Sequence, residues 1–127
     1  MRENDIGSII VKSAVALHKE LGSGLLESVY EVLLAHELEK GDLTVERQVI
    51  IPIEYHGISF PEGFRADIVV EGKVIIEVKS VESTNRAHKK QILTYLRLTG
   101  YKLGYLLNFG EALMKDGISR IINGTIS

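Results

Sequence analysis

The sequence predicts an α/β (α+β) domain, a central mixed β-sheet flanked by helices in the order α-α-β-β-β-α-β. Three observations predict it. Two helical patterns open the chain, with apolar residues recurring every three to four positions. Residues 43–80 hold alternating and near-continuous apolar runs broken by turn residues, which read as strands. A third helical pattern then leads to an apolar run at 101–108, and a helical crossover of this kind permits parallel pairing.

The first helix covers residues 4–20, with Ile6, Ile10, Ala14 or Val15, Leu17 and Leu21 inward and Asn4 or Asp5 as N-cap. Leu21-Gly22-Ser23-Gly24 breaks it. A second helix follows from residue 25 to 40 and ends at Gly41. Leu26, Val29, Leu33 and Leu34 are its expected buried side, and Tyr30 shares a side with Glu27, three residues before it. Glu27 falls in the first turn, where the helix dipole favours an anion, so a plain stabilising role is open to it.

Residues 43–55 alternate as a strand interrupted at Pro52, which favours an edge or a bulge. His56-Gly57 turns the chain. A short strand at 58–60 is expected before Pro61-Glu62-Gly63 leads into a hairpin centred on Glu71-Gly72, with Phe64 in the core. With one extra residue in the hairpin loop, Ala66 faces Val78, Ile68 faces Ile76 and Val70 faces Val74, an apolar face.

The same register sets Asp67 opposite Glu77 and Arg65 opposite Lys79 on the other face. Directly opposed like charges destabilise a strand pair, so two carboxylates there need a reason. One is a divalent cation, since Mg²⁺ takes hard oxygen ligands from one or two carboxylates. The other is a solvated face on which Asp, Glu, Arg and Lys pair among themselves. Val69 and Ile75 share that face, which implies a cover over it.

N-cap candidates at 81–85 precede the third helix, residues 86 to 98 or 99, closed by Gly100. Ile92, Leu93, Tyr95 and Leu96 supply its buried side. Gln91 and Tyr95 point the same way, and Arg86, Lys89, Lys90 and Arg97 form a basic flank, which is either a polyanion contact or solvated surface. The apolar strand at 101–108 suits a sheet interior. The tail offers a short helical or loop piece at 111–115, a turn at Asp116-Gly117 and a last strand at 118–122.

Length fits one domain over residues 1–127. Cysteine is absent, which excludes disulfides and thiolate metal sites and agrees with a reducing compartment. No signal pattern or long apolar run is present, so a cytoplasmic location with no membrane association is expected. The net charge of -2 argues against a basic footprint over the whole domain, yet residues 79–102 carry six Lys and Arg against Glu82 alone.

Asp67, followed after nine residues by Glu77-Val78-Lys79, resembles the D…(D/E)xK signature of the PD-(D/E)XK nuclease superfamily, whose restriction-endonuclease-like core has this element order. Gln91 to Tyr95 resembles the QxxxY extension of RecB-like branches. Gly24-Leu25-Leu26-Glu27-Ser28-Val29-Tyr30 resembles the motif of the GxxExxY family within that superfamily. The name's proline is Ala66 here. The resemblance implies Mg²⁺ or Mn²⁺ held by Asp67, Glu77 and the Val78 carbonyl, with Glu27 facing it directly or through water. It implies that Lys79 positions or activates the attacking water, and that Gln91 and Tyr95 line the site.

The expected activity is metal-dependent phosphodiester hydrolysis of nucleic acid, DNA favoured, with Arg65, Arg86, Lys89, Lys90 and Arg97 as backbone contacts. The alternatives are a catalytically silent nucleic-acid-binding or assembly module with the same fold, and a hydrolase of smaller phosphate esters. Small size and near-neutral charge point to a homodimer or a partner protein.

Overall fold

The computed structural model describes residues 1–126. α1 (Glu3–Leu21) buries Ile6, Ile10, Ala14 and Leu17, the stripe that three-to-four spacing puts on one side. Neither Asn4 nor Asp5 caps it. Arg2 is the N-cap without a side-chain bond, and the Asn4 side chain accepts from Arg120. α2 (Glu27–Lys40) starts two residues later than expected, after a loop in which Gly22 and Gly24 take φ of 73° and 106°. Its buried side is Tyr30, Glu31, Leu34, Ala35 and Leu38, so Leu26 and Val29, expected inside, are exposed.

β1 (Val45–Tyr55), β2 (Ile58–Val70), β3 (Val74–Lys79), β4 (Leu103–Asn108) and β5 (Ile118–Ile122) form one sheet in that spatial order. β3 and β4 are parallel and joined through α3 (Arg86–Thr99), while the other neighbours are antiparallel. The sheet is mixed, as the crossover pattern predicts. The Asn85 side chain accepts from the His88 N–H, and His88 Nδ1 accepts from the Asn85 N–H, so α3 opens on a reciprocal cap. Gly100, with φ of 80°, closes it. In the tail, α4 (Met114–Gly117) takes in Asp116-Gly117, where a turn was expected.

Two apolar layers enclose the sheet. α1 and α2 pack on Ile68, Val70, Val74, Ile76, Val78, Leu103, Tyr105 and Leu107. Ile92 and Leu96 of α3 pack on Val69, Ile75 and Leu106 from the other side, which supplies the expected cover.

The central hairpin has the expected register at Ile68–Ile76 and Val70–Val74, closed through Glu71-Gly72-Lys73 by the Lys73 N–H on the Val70 carbonyl at 3.0 Å. That ladder stops at Ile68. The expected pairs Ala66–Val78, Asp67–Glu77 and Arg65–Lys79 do not form, and Ala66 lies in the α3 layer beside Val49, Ile51 and Phe64.

A matching irregularity lies one strand away. Arg47 pairs with Ile68 and Val49 with Ala66, so Gln48 stands opposite Asp67. Before that position β1 and β2 send Val45, Ile68 and Val70 to the α1/α2 layer; beyond it they send Val49, Ile51, Phe64 and Ala66 to the α3 layer. Both strands change face at one cross-strand pair. Gln48 makes the change in β1 with φ of 52°, a left-handed value costing a residue with a Cβ about 1–2 kcal/mol. β2 runs through Pro61-Glu62-Gly63 without the expected break, and the register shifts across Pro52, between Ile51 and Ile53.

Candidate functional site

Asp67 and Glu77 meet where the β2–β3 ladder ends. Asp67, half-buried, accepts the Val78 N–H on Oδ2 at 2.8 Å. Glu77 faces the α3 side, because Ile76 and Val78 on either side of it join the opposite layer. Only 8% of Glu77 is exposed. Burial, then hydrogen bonding to Asp67 and the Asp67 charge, push its carboxyl up to about 9, with Lys79 pulling the other way. Near neutrality Glu77 is therefore protonated, the usual answer when two carboxylates share a dry site.

Lys79 ends β3, half-buried, and makes no salt bridge among the described residues. Its backbone is held closely. The Phe109 N–H donates to the Lys79 carbonyl at 2.8 Å, and the next residue, Ser80, donates its hydroxyl to the Leu25 carbonyl at 2.6 Å. Buried Asn108, paired with Lys79 across β3–β4, bonds both the N–H and the carbonyl of Val81 at 3.0 Å.

Tyr95 approaches the pair from α3. Its ring stacks on Phe64 with centroids 3.7 Å apart and planes 5° from parallel. Burial, then the charges of Glu77 and Asp67, raise its hydroxyl above the ordinary range. Gln91, one turn earlier, is exposed. Asp67, Glu77, Lys79 and Tyr95 are thus brought together.

Other predicted residues stand apart. Glu27 is the exposed first residue of α2 and lines a cleft of about 510 Å³ with Gly24, Leu25, Leu26, Ser28 and Ser80. Among the described residues no three His, Asp or Glu side chains gather around one point, so Glu27 does not join the carboxylate pair. Arg65 is exposed on β2 beside Ile50, Glu62 and Phe64. Arg86, Lys89, Lys90 and Arg97 are exposed on α3. At 3.6 residues per turn, Arg86, Lys90 and Arg97 lie roughly 100–180° round the helix from Gln91 and Tyr95.

Sequence reasoning missed one group. Glu31, 5% exposed, accepts Arg47 Nε at 3.0 Å and Nη2 at 2.7 Å on Oε2, and Gln48 Nε2 at 2.8 Å on Oε1. The available signal was spacing, since Glu31 precedes Leu34, Ala35 and Leu38 by three, four and seven residues and so lies on the buried stripe.

A mixed sheet with a helical crossover between parallel strands, carrying an acidic pair and a lysine where the β2–β3 ladder ends, has the architecture of a restriction-endonuclease-like domain. Residues 4–121 match a family model described as the PD-(D/E)XK nuclease superfamily, and the chain belongs to that superfamily. No curated protein matches it. Among the described residues no helix is long and apolar enough to cross a membrane.

Proposed function

We propose that the chain is a divalent-metal-dependent phosphodiesterase acting on nucleic acid, DNA by preference, and that it forms one domain of the GxxExxY type working in the cytoplasm. The observation that carries this reading is the joining of Asp67, Glu77, Lys79 and Tyr95 at the frayed end of the β2–β3 ladder.

The donor set fits a hard cation. Carboxylate and carbonyl oxygens suit Mg²⁺ or Mn²⁺, and a dication would offset the burial and the neighbouring Asp67 charge that keep Glu77 protonated. Asp67 and Glu77 would hold it, with the Val78 carbonyl as a further oxygen and Glu27 reaching it through water. Bound there, the ion would polarise a phosphoryl oxygen and make a coordinated water more nucleophilic.

The chain's own groups do the rest. Lys79 orients the attacking water and balances charge developing on the phosphoryl oxygens. Tyr95, fixed by Phe64, and Gln91 line the substrate side. Arg65 contacts a phosphate near the site, while Arg86, Lys89, Lys90 and Arg97 attract more distant backbone.

The test is cleavage of labelled single- and double-stranded DNA and RNA with Mg²⁺, Mn²⁺ or EDTA, beside Lys79→Ala. Cutting that needs metal and disappears in the variant supports the reading. A parent that binds Mn²⁺ and cuts none of these substrates would turn it towards the second reading, a silent binding or assembly module, or an enzyme completed by a partner or a second copy. One observation favours that alternative: Glu27 stands exposed and apart from the carboxylate pair.

A further inference from the structure

In a regular strand consecutive side chains point to opposite faces. Arg47 and Gln48 are consecutive, yet both donate to Glu31, Arg47 through two nitrogens to Oε2 and Gln48 through Nε2 to Oε1. The positive φ of Gln48 is what allows it. Glu31 sits on α2, buried, with both oxygens engaged, so the unusual backbone of β1 is held from outside the sheet.

The consequence reaches the candidate site through the cross-strand pair. Gln48 stands opposite Asp67, and β2 changes face at Asp67 as β1 does at Gln48. Without that change Asp67 would continue the β2–β3 ladder as an ordinary strand residue. With it, the ladder stops at Ile68 and the Asp67 carboxylate reaches the Val78 N–H.

We infer that the Glu31–Arg47–Gln48 clamp is a positioning device for Asp67, acting from the layer opposite α3 and touching neither metal nor substrate. This rests on the reading of Asp67 and Glu77 as metal ligands. Glu31 and Gln48 are accordingly positioning residues.

Mn²⁺ affinity tests it, measured by electron paramagnetic resonance on the full chain at low temperature, with folding of each variant checked by circular dichroism. Glycine accepts a positive φ freely, whereas a β-branched residue resists it. Gln48→Gly should therefore bind Mn²⁺ within about threefold of the parent, and Gln48→Val at least about tenfold more weakly. Glu31→Gln, which leaves Arg47 without its counter-charge, gives the second reading, with affinity at least about threefold weaker.

Parent-like affinity in folded Gln48→Val and Glu31→Gln would overturn the inference. A merely structural clamp would lower the unfolding temperature and leave affinity unchanged among folded molecules. Asp67→Asn separates the two levels: if it binds Mn²⁺ as the parent does, the metal-site reading falls and this inference with it.

Discussion

Asp67 Oδ2 accepts the Val78 N–H at 2.8 Å, so a carboxylate completes the backbone of β3 just beyond the point where β2 stops pairing with it. The bond makes Asp67 structural as well as acidic. Asp67→Ala leaves a donor unpaired and should cost about 1–3 kcal/mol in denaturant unfolding. Asp67→Asn keeps an acceptor oxygen and should cost clearly less. Both should lose Mn²⁺ binding in titration calorimetry. Equal destabilisation by the two variants would mean that the hydrogen bond contributes nothing to stability.

The burial of Glu77 gives stability a pH dependence whose sign follows from the direction of its shift. Its carboxyl is raised in the folded protein to about 9 from an ordinary 4.5, so between those values the folded state holds a proton that the unfolded state has released. Stability then falls as pH rises through that window, because the folded state binds more protons. In EDTA the parent's unfolding midpoint should drop from pH 5 to pH 9 relative to Glu77→Gln, which cannot ionise. Identical pH slopes for parent and variant would remove the buried-acid assignment.

How far the sequence reveals this arrangement depends on how local each cause is. The central hairpin register follows from apolar alternation around Glu71-Gly72, and α3 from its flanking Asn85 and Gly100. The side on which Ala66 packs is not legible in the same way. It depends on the backbone of Gln48, held by Glu31, 17 residues earlier in the chain and on a different element. Leu25 and Leu26 read as helix by composition, but the positive φ of Gly24 postpones α2 to Glu27. Asp67, Glu77 and Lys79 were visible as an ordered motif on neighbouring strands. The Phe64 stack that fixes Tyr95 joins two elements and has no local signature.

The basic residues Arg86, Lys90 and Arg97 of α3 lie on a different side of the helix from Gln91 and Tyr95, so the proposed backbone contacts and the proposed chemistry can be tested separately. If Arg86, Lys90 and Arg97 neutralise phosphates, the triple alanine variant should lower the slope of log affinity for duplex DNA against log salt by about 2–3. Mn²⁺ affinity should stay at the parent's value. A slope equal to the parent's would mark this flank as solvated surface.

Asn108 is 1% exposed, and its side chain ties three backbone groups: Oδ1 accepts from the Val81 and Gly110 N–H groups, and Nδ2 donates to the Val81 carbonyl, each at 3.0 Å. These bonds fasten the chain just after Lys79. A Cβ on Gly110 would collide with the Val81 backbone, which shows how tightly the two segments are packed. Asn108→Ala should therefore cost at least about 1–3 kcal/mol by leaving buried groups unpaired. Leu106→Ala, in the α3 layer of the same strand, should cost about 2–5 kcal/mol by opening a cavity. The two losses are similar in size and differ in place. Hydrogen exchange under folding conditions separates them: the Val81 and Gly110 amides should exchange much faster in Asn108→Ala than in Leu106→Ala. If Lys79 serves the proposed cleavage, that activity should fall with the local loosening, because the bonds of Asn108 fasten the segment that follows Lys79. Equal protection of both amides in the two variants would show that Asn108 stabilises the sheet as a whole and does not hold the segment after Lys79.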